Sequence, residues 1–222
     1  MCLSSIAAPK GSSRRRVAVH SSSEASPRLF HELRERSLDL IILLTFDPVA
    51  SNDIIVSEML YEDRMVIVAA ADSRWTRQSR VELVDLVDEN WTLPEPEHPV
   101  TSIVASAFRA IGREAPRVTA TAAPGRIRDT LLATGRFLTV VQESALHFGA
   151  TLSQLKVLPV ELAMARGTTS IMALKKRALS PAAQLFIEYL RKAAEPMAKR
   201  NGAPSQEQNP RRLLDHLIGA RE

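Results

Sequence analysis

The stretch that most restricts how this chain can fold is 116–145, PRVTATAAPGRIRDTLLATGRFLTVVQESA. It predicts strand, turn, helix, turn, strand, leading into a further helix start. Residues 117–121 alternate and are rich in β-prone types. Pro124-Gly125 is a turn signal. Ile127, Leu131 and Leu132 sit at helical spacing, and Gly135 is placed to stop the helix. Residues 137–141 are almost continuously apolar, the pattern of a strand covered on both faces. Such a β-α-β unit predicts a parallel pair with a right-handed crossover. The fold class is then α/β, with ligands at the carboxyl ends of the strands.

The rest of the chain is read around this unit. Residues 1–16 predict a disordered tail, and Val17 and Val19 offer a first strand within 14–20. Ser21–Ser23 reads as a loop. Ser26-Pro27 starts a helix, an N-cap before proline at the first helical position, and Leu29, Phe30 and Leu33 form its apolar face. LDLIILL (38–44) predicts a buried strand, broken at Asp47-Pro48. A weaker strand at 54–60 and a separate buried run at 64–71 follow. After a short helix (81–87) and strand (91–93) comes PEPEHP, 94–99. Its three prolines exclude a helix interior or central strand and suggest a crossing between lobes. A helix at 101–111 stops at Gly112. Strands are predicted at 157–160 and 169–174, the latter returning to the first lobe. Ser180-Pro181 caps a helix with Leu185, Phe186, Tyr189 and Leu190 on its apolar face. Beyond Pro196 the composition predicts a flexible extension ending in a short amphipathic helix at 211–218.

Charge and motifs narrow the function. The net charge is +4, but residues 1–16 hold four bases and no acid, and 191–222 hold seven bases and four acids. That leaves 18 bases and 21 acids in 17–190. A DNA-reading domain carries its positive charge on a folded face, so the body is not expected to contact DNA. No apolar run nears the roughly 20 residues of a membrane span. The arginine-bearing start does not read as a secretory signal, so a cytoplasmic protein is expected. The single cysteine, Cys2, excludes an internal disulfide. His20, His31, His147 and His216 show no metal spacing. There is no G-x-S-x-G, P-loop, H-E-x-x-H or G-x-G-x-x-G. Glu62-Asp63 and Asp88-Glu89 are neighbours in sequence rather than convergent pairs. No enzyme activity, metal or cofactor is expected.

Five segments together carry a resemblance: SPRLFHELRERSLDLII, LYEDRMVIVAAADS, LVDLVDENWTLPEP, RDTLLATGRFLTVVQESAL and ALSPAAQLFIEYLR. In this order and spacing, residues 17–195 resemble the effector-binding domain of LysR-type transcriptional regulators. ATGRFLTVV is similar to the subgroup near regulators of galactose-binding proteins. The chain departs from the family at Phe137, where a second glycine is usual, and at Gln142, where proline is common. It departs again at Arg36, where glycine usually precedes L-D-L. The family's N-terminal winged helix-turn-helix has no counterpart here, so the resemblance implies a sensory domain without the DNA-binding activity.

The resemblance implies a two-lobed, periplasmic-binding-protein-like type 2 fold with a cleft between Rossmann-like lobes. Lobe I would be 17–94 with 170–195, and lobe II 95–169. Crossings near Pro94–Pro96 and Gly167–Thr169 would act as hinges. It further implies a small polar effector, such as a sugar, sugar acid or organic acid, held by helix N-termini and strand ends. The residues so implicated are Ser26, Thr45, His98, Val100, Thr101, Ala123, Pro124 and Gln142. Each has a plainer reading: Ser26 and Thr101 as helix caps, His98 as a surface residue, Gln142 as a proline replacement. Arg126 and Arg128 read first as a solvated helix face. A homodimer is expected through lobe-flanking helices, 29–36 of one copy against 101–111 of the other. Three rivals stand beside the sensor: a stand-alone solute-binding protein, a dehydratase on the same fold, and a truncated regulator that only dimerises.

Overall fold

The computed structural model describes residues 26–46, 55–123, 125–148, 154–162, 166–175 and 177–201. The expected features at 14–20, Ser21–Ser23, Asp47-Pro48, Pro124 and 211–218 lie outside them. In order, the elements are α1 (Ser26–Arg34), β1 (Ile41–Thr45), β2 (Ile55–Ala70), β3 (Trp91–Leu93), α2 (Pro99–Ala110) and β4 (Val118–Thr121). There follow α3 (Arg126–Ala133), β5 (Thr139–Gln142), α4 (Ala145–Phe148), β6 (Leu155–Val157), β7 (Arg166–Leu174) and α5 (Pro181–Asn201). The 81–87 helix is a 3-10 turn at Leu83–Leu86.

The chain forms two compact units. One draws on residues up to Tyr61 and from Thr168 onward, and the other is Glu62–Gly167. The outward crossing therefore falls inside a strand rather than at Pro94–Pro96. The two strands expected at 54–60 and 64–71 are one continuous strand, β2, which runs from the first unit into the second.

In the first unit β7 lies between β1 and β2. β1 and β7 are antiparallel, with Ile41 opposite Met172 and Thr45 opposite Thr168. Successive strand residues point to opposite faces, and here each face has its own helix. Ile171 and Ala173 pack with Ala183, Ile187, Leu190 and Ala194 of α5. Ile41 and Met172 pack with Leu29 and Leu33 of α1, one helical turn apart. Leu33, Ile171, Met172 and Ile187 are fully buried, each contributing about 1.5–3 kcal/mol by leaving water. Leu185, expected on the apolar face, is instead 43% exposed. The buried stripe of α5 is Ala183, Ile187, Leu190, Ala194 and Met197, and it continues past Pro196 to the end of the helix. Glu58, fully buried in β2, accepts both hydrogen bonds of a bidentate pair with Arg191 at 2.7 Å.

In the second unit β2 pairs antiparallel with β5 and β6. β3 and β4 are parallel, with Leu93 opposite Thr121. Trp91 bridges Leu138 in parallel on the other side of β3. The two strands of the 116–145 unit are thus parallel but not paired to each other, because β3 lies between them. Gly135 follows α3 at φ +73°, the left-handed turn that favours glycine. Thr139, Val140 and Val141 are all buried, as a strand covered on both faces requires. Ile127 departs from the reading: it is 73% exposed at the start of α3. Trp91 and Phe108 meet edge to face at 6.0 Å in the core of this unit. No described helix is long and apolar enough to cross a membrane.

Candidate functional site

Parallel strands place their following loops and helix starts at one end, and β3, β4 and β5 do so here. After Leu93 the chain turns through Pro94–His98 into α2. After Thr121, the Ala122 amide donates to Leu93 O at 2.9 Å, fastening the β4 exit beside the β3 exit. Gly125 then heads α3 with φ +143°, a conformation open to glycine and strained for other residues. The Thr139 hydroxyl donates to Thr92 O at 2.6 Å, locking β5 to β3 within the buried layer.

The start of α2 is built from the residues singled out in sequence. Pro99 occupies the first turn, where its missing N–H costs nothing. His98 is the N-cap, its Nδ1 accepting the Val100 amide at 3.2 Å. That bond needs a neutral ring, and burial lowers the His98 pKa below its ordinary value, outweighing the opposing pull of Glu95. The Thr101 hydroxyl donates to Pro94 O at 3.1 Å and ties the first turn of α2 to the exit of β3. His98 and Thr101 therefore both hold local structure. Val100 and Thr101 are half-buried, and Ala123, two residues after β4, is exposed.

Gln142 ends β5 half-buried, opposite Met65 of β2. The turn beyond it is clamped. Asp63, 2% exposed, accepts the Ser144 amide at 3.2 Å, the Ser144 hydroxyl at 2.5 Å and the Arg64 amide at 2.9 Å. The Arg64 guanidinium grips both oxygens of Glu143. Burial raises the Asp63 pKa, overriding the hydrogen bonds from Ser144 and Arg64 that lower it. The sequence reading missed Asp63 and Ser144. The available signal was a serine before a helix start, facing a charge-bearing break in an apolar strand.

The second unit thus gathers His98, Val100, Thr101, Ala123 and Gln142 at the carboxyl ends of its parallel strands. Ser26, the first residue of α1, and Thr45, the last of β1, belong to the first unit. Arg128 pairs with Asp129 at 2.9 Å and is engaged locally. Among the described residues, no group of three or more His, Cys, Asp or Glu side chains could hold a metal ion. What this end offers chemically is hydrogen-bonding backbone and hydroxyl groups, and the Ser144 hydroxyl beyond β5 is taken up by the Asp63 carboxylate.

A family model described as LysR substrate binding domain matches residues 12–195. No curated protein sequence matches the chain. Among solved structures, it is similar to the regulatory domain of CcmR from Synechocystis PCC6803 in complex with 2-PG. The identity there is 19% and the TM-score 0.62, over 77% of this chain and 80% of that one. It is also similar to the reduced regulatory domain of OxyR2 from Vibrio vulnificus, at 21% identity and TM-score 0.58, over 78% of each chain. The effector binding domain of QuiR in complex with shikimate shares 16% identity at TM-score 0.59, over 78% and 79%. These likenesses show the shared fold. With the family model spanning most of its length, the chain belongs to the LysR substrate-binding domain family.

Proposed function

We propose that this chain is the effector-sensing domain of a transcription regulator, binding a small polar metabolite at the carboxyl ends of β3, β4 and β5. The observation that carries the reading is the fastening of two strand exits and one helix start at a single edge, through Ala122 to Leu93 and Thr101 to Pro94. These bonds hold the edge in place, and the helix start at Gly125, which has no side-chain cap, supplies backbone amides suited to carboxylates and hydroxyls. Small oxygen-rich ligands on related domains, 2-PG on CcmR and shikimate on QuiR, favour the same class. Thr101, Ala123 and Gln142 are the proposed contacts. His98 and Val100 shape the start of α2, and Pro124 directly precedes Gly125, the N-cap of α3, in sequence. The domain is read as a binder rather than an enzyme, working in the cytoplasm as a homodimer through α1 of one copy and α2 of the other.

A thermal-shift screen of the purified chain against sugars, sugar acids and small aromatic acids tests this. A ligand at 100 times its dissociation constant adds about 2.7 kcal/mol to stability. The expected result is a hit weakened by Thr101→Ala and Gln142→Ala, with the same substitution at Ser26 and Thr45→Ala reading the first unit's share. A hit indifferent to every one of these changes would refute the placement.

A further inference from the structure

The second unit has a groove at the other end of its parallel strands, where Asn90 precedes β3 and Leu138 precedes β5. It encloses about 380 Å³, and its wall includes Asp72, Arg74, Trp75, Glu89, Gly135 and Arg136. None of the residues proposed to meet the effector lines it.

Its charges are unevenly committed. The Arg74 guanidinium pairs with Glu89 and stacks 4.7 Å above the Trp75 ring. Asp72 and Arg136 are exposed and hold no ion pair or side-chain hydrogen bond among the described residues. A free carboxylate and a free guanidinium thus line one groove. Gly135, next to Arg136 in the chain, lets the Asp72 carboxylate approach the backbone of this wall. It adopts φ +73°, and a Cβ there would stand 3.2 Å from Asp72 Oδ1. Trp75, whose ring carries the Arg74 guanidinium, adds an unmet donor behind this wall, itself shut off from solvent. It is 7% exposed, yet its indole N–H meets no acceptor among the described residues. The indole of Trp91, by contrast, donates to Leu86 O at 2.9 Å. A buried donor without an acceptor is costly, and native structures rarely leave one unexplained.

We propose that this groove is a second small-molecule site, for a zwitterion of amino-acid or dipeptide size, with its ammonium on Asp72 and its carboxylate on Arg136. A simple anion would meet the Asp72 and Glu89 carboxylates, and a simple cation the two guanidiniums, so only a ligand carrying both charges is complemented. The site stands apart from the effector reading and needs only the fold of the second unit.

The chain has two tryptophans, so a ¹⁵N-labelled sample gives two indole N–H signals, assigned with Trp75→Phe. Titration with glycylglycine is expected to move the Trp75 signal saturably and leave that of Trp91 in place. Acetate and methylammonium, each with one of the two charges, should bind at least several-fold more weakly. Asp72→Asn and Arg136→Gln, both on the surface, should each weaken glycylglycine by about threefold or more, the scale of an exposed ion pair. A Trp75 signal unmoved by glycylglycine overturns the proposal. So does one moved equally by acetate, or moved equally in both variants.

Discussion

Two residues show how local geometry sets their energetics. Arg36 stands where the family usually has glycine, and it adopts φ +62°, alone among the described non-glycine residues in being left-handed. That conformation crowds a Cβ by about 1–2 kcal/mol, partly offset by the entropy glycine loses on folding. Arg36→Gly should therefore raise stability by up to about 1 kcal/mol in urea unfolding. A loss would show that the Arg36 side chain matters more than its backbone. His98 is the pH-sensitive cap. Its folded pKa lies below the ordinary 6.5, so the folded chain keeps the ring neutral where the unfolded chain already takes up a proton. Stability should be level above pH 7 or so, fall as pH drops through 6.5, and level off below the folded pKa. His98→Asn keeps an N-cap acceptor that does not titrate in this range. The wild-type chain should lose more stability than this variant between about pH 7.5 and pH 5.

At the scale of elements, local signals are legible in the sequence and distant ones are not. The α3 helix and its flanking strands can be read from alternation, a Pro-Gly turn and a stopping glycine, all near-neighbour signals. The placement of β3 between β4 and β5 cannot, because no local signal tells a strand which neighbour it will take. The continuity of β2 is hidden for a related reason. Glu62-Asp63-Arg64 reads as a break, yet the strand runs through it because Glu143 and Ser144, some 80 residues later, satisfy Arg64 and Asp63. α5 shows the limit of periodicity. Leu185 and Phe186 are adjacent, and spacing alone does not decide which side the sheet covers. The structure buries Ile187 completely and leaves Leu185 43% exposed. Ile187→Ala should accordingly cost about 2–5 kcal/mol, and Leu185→Ala no more than about 0.5 kcal/mol, both read by chemical denaturation. Equal costs would mean that α5 sits on its sheet with a different face.

At the scale of the molecule, the sequence carried the family through five ordered segments, and the match over residues 12–195 agrees. Of the elements around the proposed site, it carried the start of α2 at 98–101 and the end of β5 at Gln142, because caps and strand ends have local signatures. It did not carry the Asp63–Ser144 clamp or the division of labour at α2. There His98 and Thr101 are committed to their own backbone before any ligand arrives, a fact of three-dimensional neighbours. The central claim, that an effector meets the second unit at the carboxyl ends of β3, β4 and β5, is best tested by hydrogen exchange. The chain would be followed by mass spectrometry with and without a compound that raises its melting temperature. The account predicts slowed exchange in peptides covering 94–102, 122–128 and 142–145. Protection confined to 72–75 and 134–138, with those segments unchanged, would contradict it.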